Sequence, residues 1–505
     1  MTTQPLKGRK VLVTGIDLEQ SEHRGIAVYS KSLIRCLSDS GAEVWLLTEF
    51  FDNLSRRGLK HLPEKTKAMI HRGRILNLLA SGKDNIKPFK KKFKLIQIQE
   101  SIKNKLSHYI KLIVNILIRP RKYKSKDLAS FRLDELYDNP NIRIERLNYM
   151  ENITGIVSAP DIYLATQLAA RLPKLKPVLI DLEGFDALIT SCPLNIKPIN
   201  LPHFVQSIHD LIALEYVPHN EDPLMFSHRL QACRPARRLF VSRSTAYKFN
   251  THIQTDKKSS LPYSGYQAND SYEKVIVQPP SLHFPNWLTE DRENIVDLPP
   301  ASPLFRADPD STDRRKNLTP FRYFLFNSSV ESRKNLLFLA KAYAETDLSK
   351  NGIKLCVTGK LKPDDYSNSL KKIVDYEDGI ILTDYVNESS KLDLYLNALG
   401  LLSPSLVEGF GIPVLDSACL GMPSLASDCE SHIEIKGLYD FENHVFCLET
   451  NNSRKWAAAM QKIAGSNMSS ADQASQVRRK RISRYSQFES KFTNQLKKDL
   501  VEILN

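Results

Sequence analysis

The stretch SPSLVEGFGIPVLDSACLGMPSLAS, residues 403–427, decides the fold class of this chain. Gly409 and Gly411 flank a loop that follows an apolar run, and Pro413 suits the first turn of a helix. Gly421 marks the end of that helix. The order of strand, glycine loop and helix is typical of a parallel α/β sheet. The amide groups of the loop and of the helix N-terminus predict an anion site.

Two carboxylates bracket the predicted anion site. Glu408 precedes the glycine loop and Asp416 lies eight residues later, so both side chains can point towards the same ligand. A carboxylate suits a hydroxyl group rather than a phosphate, because it accepts hydrogen bonds. A nucleotide sugar offers such hydroxyl groups on its ribose and on its sugar, on the two sides of a diphosphate. The alternative from these residues alone is a capped surface helix with incidental acidic side chains.

The alternation of strands and helices extends over the second half of the chain. Apolar runs with the length of strands occur between helical patterns that begin near Lys334, Asp364, Glu388 and Pro413. This arrangement predicts a parallel sheet wrapped by helices. The predicted strands are Tyr323 to Phe326, Lys354 to Val357, Gly379 to Leu382, Gly400 to Leu402 and Ser424 to Ala426.

The first half of the chain begins with a βαβ pattern. A strand at Val11 to Thr14 is followed by a polar loop, a helix that ends near Gly41 and a strand at Val44 to Thr48. The pattern predicts another doubly wound α/β domain, with an inserted segment. Its further predicted strands are Ile142 to Leu147, Ile162 to Thr166, Val178 to Asp181, Phe204 to Ile208, Leu239 to Ser242 and Val275 to Gln278.

The predicted fold class is therefore α/β, with two Rossmann-like doubly wound parallel-sheet domains that face each other across a cleft. Ligands of such sheets bind at the carboxyl ends of the strands, so we expect the site in that cleft. The domains are an N-terminal one at 1–297 with a basic insertion at 51–127, a proline-rich and charged linker at 298–320, a C-terminal one at 321–480, and a C-terminal helix at 481–505 that can pack back on the first domain.

Composition and motifs exclude several classes of protein. A chain of 505 residues with 42% hydrophobic and 25% charged residues is neither a single small module nor collagenous or globally disordered. The seven cysteines are scattered singly, which indicates neither a disulfide framework nor a zinc site. Without a GxGxxG motif after the first strand, we do not expect a nicotinamide dehydrogenase. No signal peptide or transmembrane segment is predicted, so we expect a cytoplasmic protein.

The net charge of +14 is concentrated in one segment. Residues 51–127 hold 21 Lys and Arg residues against five Asp and Glu residues, while the rest of the chain is close to neutral. Apolar residues recur every three or four positions within residues 87–118, among lysines, which predicts a basic amphipathic helix. Such a helix can bind an anionic membrane surface, or pack on its own domain with a solvated basic face. Nucleic acid is not expected, because no recognised DNA- or RNA-binding motif accompanies the charge.

Three basic side chains are candidates for the ligand site. Arg333 and Lys334 lie where a helix is predicted to start, and the helix dipole disfavours cations there by about 0.3 to 1 kcal/mol. A bound diphosphate would explain both, whereas the alternative is a pair of solvated surface bases. His209 follows a predicted strand, at an end that faces the cleft. It can bind a sugar hydroxyl group or assist proton transfer, or have a structural role.

The sequence from Glu408 to Asp416, EGFGIPVLD, resembles the E-x7-E signature of the fourth family of retaining, nucleotide-sugar-dependent glycosyltransferases, which have the GT-B fold. Most of the second domain shares this resemblance, and residues 51–127 match no motif of the family. The further motifs that carry it are Val330-Glu-Ser-Arg-Lys-Asn335, Tyr385-Val386, Leu394-Tyr395-Leu396-Asn397-Ala398 and Glu434-Ile435 in the second domain, and Gly25-Ile26, His209-Asp210-Leu211 and Val241-Ser242 in the first.

The resemblance implies an enzyme that transfers a hexosyl, mannosyl-like, group with retention and needs neither a metal ion nor a cofactor. It implies a glycan or lipid-linked glycan acceptor, in polysaccharide or lipopolysaccharide assembly, and a cytoplasmic enzyme that can lie peripherally on the inner face of the cell membrane. The implied catalytic residues are Glu408 and His209. The implied donor-binding residues are Arg333, Lys334, Gly409, Phe410, Gly411, Asp416, Tyr385, Val386 and Gly25.

Three positions depart from the family pattern. Asp416 stands where the second Glu is usual, Asp384 replaces a common Gly beside the base pocket, and Ser328 occupies a usual Gly position before Arg333. These changes bear on the donor, for which GDP-mannose and UDP-hexoses both stay open, more than on the reaction class. The alternative functions are a sugar-nucleotide epimerase, a soluble glycoside synthase, and a non-catalytic protein that keeps a GT-B body and binds membranes or nucleic acid.

Overall fold

Two large and mainly parallel sheets, one in each half of the chain, dominate the computed structural model of the protein. The basic helix predicted within residues 87–118 lies outside the part of the chain that the structure describes, as does most of the linker predicted at 298–320. The described residues are 4–20, 25–51, 61–82, 122–125, 128–133, 145–171, 176–216, 221–255, 273–284, 302–305, 317–465 and 471–505.

The first sheet has eight strands in the order β11-β10-β9-β7-β1-β2-β5-β4, and a small sheet of order β3-β6-β8 lies beside it. Pairing is parallel except between β4 and β5. Buried apolar residues fill the central strands, as expected for a sheet covered on both faces. The strands are β1 (Lys10–Thr14), β2 (Glu43–Thr48), β3 (Lys122–Tyr123), β4 (Ala129–Arg132), β5 (Gly155–Ser158), β6 (Val178–Asp181), β7 (Ala187–Thr190), β8 (Ile196–Ile199), β9 (His203–Ile208), β10 (Arg237–Phe240) and β11 (Glu273–Val275).

The second sheet has six parallel strands in the order β14-β13-β12-β15-β16-β17. The five strands predicted here from apolar runs are all present, within one or two residues of their predicted bounds. The sixth strand, at one edge, was not predicted. The strands are β12 (Tyr323–Asn327), β13 (Lys354–Thr358), β14 (Ile380–Leu382), β15 (Gly400–Ser403), β16 (Ser424–Ser427) and β17 (Val445–Leu448).

Helices connect the strands in both halves, and short 3-10 turns occur at Glu145–Asn152, Pro303–Phe305, Ser332–Lys334 and Phe441–Asn443. Among the helices that the structure describes, none combines the length and the apolar character needed to cross a bilayer. The helices are α1 (Gly25–Asp39), α2 (Glu64–Ser81), α3 (Ile162–Arg171), α4 (Ile212–Glu215), α5 (Pro223–Ala232), α6 (Arg243–Thr255), α7 (Leu336–Ala344), α8 (Asp365–Tyr376), α9 (Glu388–Asn397), α10 (Ile412–Leu420), α11 (Glu430–Lys436), α12 (Ser453–Ala464) and α13 (Ala471–Leu504).

Two strand predictions in the first half were wrong. The run Ile162 to Thr166 belongs to helix α3, which is buried on most of its circumference, so its sequence reads as a continuous apolar run like that of a buried strand. The described end of the strand predicted at Ile142 to Leu147 belongs instead to the 3-10 helix Glu145–Asn152. The helix predicted near Lys334 begins at Leu336, after a 3-10 turn and a left-handed Asn335 with φ 54°.

The C-terminal helix α13 packs on the cores of both domains. Tyr485 and Phe492 belong to the apolar core beside the second sheet, whereas Leu496 and Leu500 belong to the core beside the first. The Arg9 side chain also donates a hydrogen bond to the Leu504 carbonyl at 3.0 Å. Burial of each side chain of this size stabilises the fold by about 1.5 to 3 kcal/mol. Because α13 buries such side chains against both cores, it fixes the position of one domain relative to the other.

Candidate functional site

A cavity of about 970 Å³ separates the carboxyl ends of the two sheets. The first domain lines it with the loop after β1, the start of α1 and the end of β9, and the second lines it with segments that follow β12, β13 and β15. All eleven residues proposed for the site from sequence lie in its wall, although their roles remain predictions. These are Gly25, His209, Arg333, Lys334, Tyr385, Val386, Glu408, Gly409, Phe410, Gly411 and Asp416.

A buried carboxylate, Glu408, lies between two cations. Lys334 donates a short hydrogen bond to its Oε1, which also accepts from Ser405 Oγ at 2.7 Å, and Arg333 Nη1 lies 3.4 Å from Oε2. Burial alone would raise the pKa of Glu408, but Lys334 and Arg333 outweigh it and hold that pKa at about 2. A hydrogen bond of 2.7 Å from the Leu406 amide to the Arg333 carbonyl ties the two loops together. Glu408 is therefore ionised and fixed in place.

A second carboxylate, Glu331, shares Arg333 with Glu408. It pairs with Arg333 Nε at 3.0 Å and with Lys362 Nζ at 2.7 Å, and these cations outweigh burial to lower its pKa to about 2. Lys334 behaves differently, because burial and repulsion from Arg333 outweigh Glu408 and lower its pKa below the ordinary value. Through direct contacts, three cations thus share two carboxylates. A bound anion would relieve the cost of the buried Lys334 charge.

The glycine loop allows the two domains to approach each other closely. A Cβ atom on Gly409 would lie 2.5 Å from the carbonyl oxygen of His209, in the other domain. The Ser242 hydroxyl group of the first domain donates to the Gly409 carbonyl at 3.1 Å. Gly411, with φ +99°, precedes α10 and turns the chain into that helix. Glycine is required at both positions, for contact at the first and for backbone conformation at the second.

Replacing Gly409 by alanine is expected to lower the free energy of unfolding by about 1 to 3 kcal/mol, because the new methyl group meets backbone that cannot move freely. The matched control is Gly437→Ala, where the nearest atom would lie 3.5 Å from the added methyl group and φ is −77°. Urea unfolding of both variants measures the difference. Equal stability of the two variants would contradict the close approach of the domains at Gly409.

His209 is buried at the first-domain side of the cavity. Its Nε2 donates to the Ser191 carbonyl oxygen at 2.7 Å, and its ring packs edge-on against Tyr29 with ring centroids 4.7 Å apart. A carbonyl can only accept, so Nε2 carries the proton and Nδ1 is the acceptor nitrogen. Burial lowers the pKa of His209 below its ordinary value, which keeps the imidazole neutral. In this state it can accept a hydrogen bond from a hydroxyl group.

Asp416 lies in the cavity wall, but both of its carboxylate oxygens have partners within the protein. Oδ1 accepts from the Ser281 amide at 2.6 Å and from the Tyr485 hydroxyl group at 3.2 Å, and Oδ2 accepts from Ser281 Oγ at 2.5 Å. Burial raises its pKa to about 6. Ser281 lies on the segment that leaves the first domain, and Tyr485 lies on α13. Asp416 therefore contacts both segments that connect the two domains.

Two departures from the family pattern have visible consequences. Asp384 has φ 57°, in the left-handed region that glycine adopts most readily, so the backbone keeps the conformation that a glycine would favour. Gly359 pairs with it, and the Ser328 carbonyl packs against Gly359. Beyond Asp384, Tyr385 is about half exposed and lines the cavity. This segment forms one edge of the site.

Sequence reasoning missed several polar residues of the cavity wall, among them Asp17 and Lys362. Asp17 lies in the polar loop after β1, and burial raises its pKa to about 6. A polar loop directly after a buried parallel strand is the signal that could have indicated it. Within the described ranges, no group of three or more His, Cys, Asp or Glu side chains is arranged to hold a metal ion.

Comparisons with known proteins bear on the fold and on part of the chain. Residues 310–481 match the family model described as glycosyl transferases group 1. Sucrose-phosphate synthase from Thermosynechococcus elongatus is similar in structure, with a TM-score of 0.50, 11% identity, and 97% of this chain and 98% of that chain covered. At this identity, the likeness shows a shared fold. The predicted α/β fold of GT-B type is thereby confirmed.

Two other solved structures give similar values. The protein HepE from Anabaena, solved in complex with UDP, has a TM-score of 0.49 and 10% identity, with 97% of this chain and 99% of that chain covered. TarM has a TM-score of 0.49 and 11% identity, with 99% of each chain covered. No curated protein sequence matches the chain.

Proposed function

We propose that the protein is a glycosyltransferase that binds a nucleotide sugar in the cavity between its two sheets. The observation that carries this proposal is the buried cluster of Lys334, Arg333 and Glu408 beside the glycine loop. Cations with mostly buried side chains next to the backbone amides of that loop suit a diphosphate, and a carboxylate beside them suits a sugar hydroxyl group. The match of residues 310–481 to the group 1 glycosyltransferases supports the same assignment.

The proposed reaction transfers a hexosyl group with retention at the anomeric carbon. The bond from that carbon to the donor phosphate oxygen breaks, and its electron pair leaves with the nucleoside diphosphate. A new bond forms to the acceptor oxygen, whose proton passes to the departing phosphate on the same face. Lys334 and Arg333 stabilise the charge that develops on the diphosphate, which is the contribution that a metal ion makes in other transferases. Neither a protein nucleophile nor a cofactor is needed in this scheme.

Closure of the domains would keep water away from the donor. In the structure, the Glu434 carboxylate of the second domain accepts hydrogen bonds from the Arg243 amide at 2.9 Å and from the Ser244 amide at 3.3 Å, at the start of α6. Lys248, also on α6, pairs with Glu430 of the second domain at 2.6 Å. These contacts support a closed arrangement in which transfer is favoured over hydrolysis.

The finer parts of the proposal concern donor and acceptor. We propose a mannosyl-like donor and a glycan or lipid-linked glycan acceptor, in cell-surface polysaccharide assembly. Roles of Tyr385 and Val386 at the base and of Asp416 at the ribose remain predictions, and Asp416 would need to accept a ribose hydroxyl group in addition to its present partners. Binding of residues 87–118 to an anionic membrane surface also remains a prediction.

A screen of nucleotide sugars tests the proposed function. We expect one of UDP-glucose, UDP-galactose, UDP-N-acetylglucosamine, ADP-glucose and GDP-mannose to stabilise the protein against unfolding, by about 2.7 kcal/mol at 100 times its dissociation constant. The same compound should release its nucleoside diphosphate, faster when a sugar acceptor is added. Acceptor-independent conversion of the donor into another nucleotide sugar would favour the epimerase. Absence of both stabilisation and release with all five compounds would contradict the proposal.

A further inference from the structure

The two halves of the cavity wall differ in charge. Among the described residues, every Lys and Arg of the wall belongs to the second domain, namely Arg333, Lys334, Lys360, Lys362 and Lys391. The charged side chains that the described part of the first domain contributes are carboxylates, Asp17 and Asp210. The second-domain half, as far as the structure describes it, also holds four carboxylates, Glu331, Glu388, Glu408 and Asp416, so the two charge types occur together there. Its cations suit the anionic diphosphate. The first-domain half suits a ligand with hydrogen-bond donors and without negative charge.

Asp17 is held in place by a residue that also holds His209. Strands β1, β7 and β9 are neighbours in the first sheet, so their carboxyl ends meet at the cavity. Ser191, directly after β7, is fully buried and uses three polar groups: its amide donates to Thr14 Oγ1 at 2.9 Å, its hydroxyl group donates a short hydrogen bond to Asp17 Oδ2, and its carbonyl accepts from His209 Nε2 at 2.7 Å. One serine thus holds both a carboxylate and an imidazole in the cavity wall.

Asp17 and His209 both retain capacity to accept hydrogen bonds. Each carboxylate oxygen can accept two, and the Ser191 hydroxyl group provides one of them to Oδ2. His209 presents Nδ1 as an acceptor, because its Nε2 proton is used by the Ser191 carbonyl. Burial raises the pKa of Asp17 to about 6 and outweighs the hydrogen bonds from Ser191 and from its own backbone, both of which lower that pKa. Hydroxyl groups of a sugar are donors that fit such a pair.

We propose that Asp17 binds a hydroxyl group of the acceptor, and that this acceptor is an uncharged sugar or glycan rather than a sugar phosphate or an acidic sugar. This inference rests on the proposed function and names the acceptor class for the same site. A phosphate or carboxylate on the acceptor would lie near Asp17 and Asp210, and the described part of the first-domain wall offers no cation to neutralise it. Glu408 and Glu331 outweigh burial and raise the pKa of the Arg333 guanidinium, and Asp210 adds a smaller contribution from the first-domain side of the cavity.

The test compares Asp17→Asn with the wild-type protein, using the donor found in the screen. Methyl glycosides of glucose, mannose and galactose and N-acetylglucosamine serve as neutral acceptors, and glucose 6-phosphate, mannose 6-phosphate and fructose 6-phosphate serve as anionic ones. For the wild type, we expect transfer to at least one neutral sugar and at least about tenfold lower kcat/KM for each of the three phosphorylated sugars. Asp17→Asn should lower kcat/KM for the neutral sugar about 10- to 100-fold, mainly through the acceptor KM.

We also expect Asp17→Asn to lower the ratio of kcat/KM for the neutral sugar to kcat/KM for the phosphorylated sugars. A purely structural role of Asp17 would not change this ratio. The matched control is Asp181→Asn, because Asp181 accepts a hydrogen bond from Asn200 at 2.9 Å and lies outside the cavity wall. Asp181→Asn should change neither kcat/KM for the neutral sugar nor its ratio to kcat/KM for the phosphorylated sugars. Saturation-transfer NMR with the same seven sugars, in the presence of the nucleoside diphosphate, gives a binding readout that needs no turnover.

Three results would overturn the inference: equal use of neutral and phosphorylated sugars by the wild type, an unchanged acceptor KM in Asp17→Asn, or neither binding nor transfer with any neutral sugar. Each is distinguishable from failure of the proposed function. Nucleoside-diphosphate binding by the wild-type protein is measured separately, and its absence would refute the glycosyltransferase itself. Its presence together with one of these three results would refute only the inference about Asp17 and the acceptor class.

Discussion

Replacing Lys334 by methionine is expected to weaken nucleoside-diphosphate binding by about 100-fold, which corresponds to about 2.7 kcal/mol. Lys334 is almost completely buried in the cavity wall, so its charge acts on a bound phosphate with little screening by water. Methionine keeps most of the apolar stem and removes the ammonium group. Calorimetric titration with UDP, ADP and GDP, on both proteins, measures the change.

The control for this prediction separates binding from folding. Lys334→Met leaves Glu408 with Arg333 as its remaining charged partner, so some loss of stability is expected. The double variant Lys334→Met, Glu408→Gln removes the unpaired carboxylate and should regain part of that stability without regaining affinity. Lys341→Met, on the exposed side of α7, is the matched control and should bind normally. A folded Lys334→Met protein with unchanged affinity would contradict the assignment of the diphosphate to this cluster.

The second large effect is expected for Glu408→Gln, which should lower the free energy of unfolding at pH 7 by about 3 kcal/mol and abolish transfer. The pKa of Glu408 is about 2 in the folded protein against an ordinary value of 4.5. A difference of this size corresponds to about 3 kcal/mol. The loss expected on removing one partner of a buried ion pair, about 3 to 5 kcal/mol, is similar.

The lowered pKa of Glu408 also determines how the loss of stability in Glu408→Gln depends on pH. Because the folded-state pKa of Glu408 is depressed, its contribution is fully present above pH 4.5 and is lost as the pH falls through about 2. The stability difference between the wild type and Glu408→Gln should therefore be constant from pH 7 to pH 5 and shrink by pH 3. Urea unfolding at these three values measures it, with Glu442→Gln at an exposed position as control. A difference that grows on acidification would show that Glu408 is not held ionised by Lys334 and Arg333.

The second sheet was predictable because its strands are buried on both faces. Runs such as Tyr323 to Phe326 and Gly400 to Leu402 are continuously apolar and end at polar or turn residues, so length and boundaries both point to strands. The same rule failed at Ile162 to Thr166, because a helix that is buried nearly all round gives the same apolar run. The edge strand β17 is only partly buried and gives a weaker pattern.

The local motifs located the site, but the contacts between distant segments could not be predicted. Glu408, Gly409 and Gly411 follow one strand, and a strand end in a parallel sheet faces the ligand. The partners of Asp416 come from Ser281 and Tyr485, 135 and 69 residues away along the chain, where no local pattern refers to it. Asp416, which the motif assigns to a ribose, therefore also contacts the two segments that connect the domains.

Asp17 was missed for a related physical reason. The polar loop after β1 indicates where a ligand can bind but does not single out Asp17 among its polar residues, and the contact with Ser191 arises only because β1 and β7 are neighbours in the sheet. His209 could be proposed because it directly follows a strand that ends at the cleft. Sequence thus indicates which strand ends carry chemistry, whereas the order of strands in the sheet decides which side chains act together.

A crystal structure of the protein with the nucleoside diphosphate selected by the screen tests the central claim most directly. Both phosphate groups should lie in the cavity between the sheets, with oxygen atoms about 3 Å from Lys334 Nζ and from the Arg333 guanidinium, beside the amides from Gly409 to Gly411. A nucleotide bound elsewhere, or one bound in the cavity with its diphosphate directed away from Lys334 and Arg333, would contradict the account.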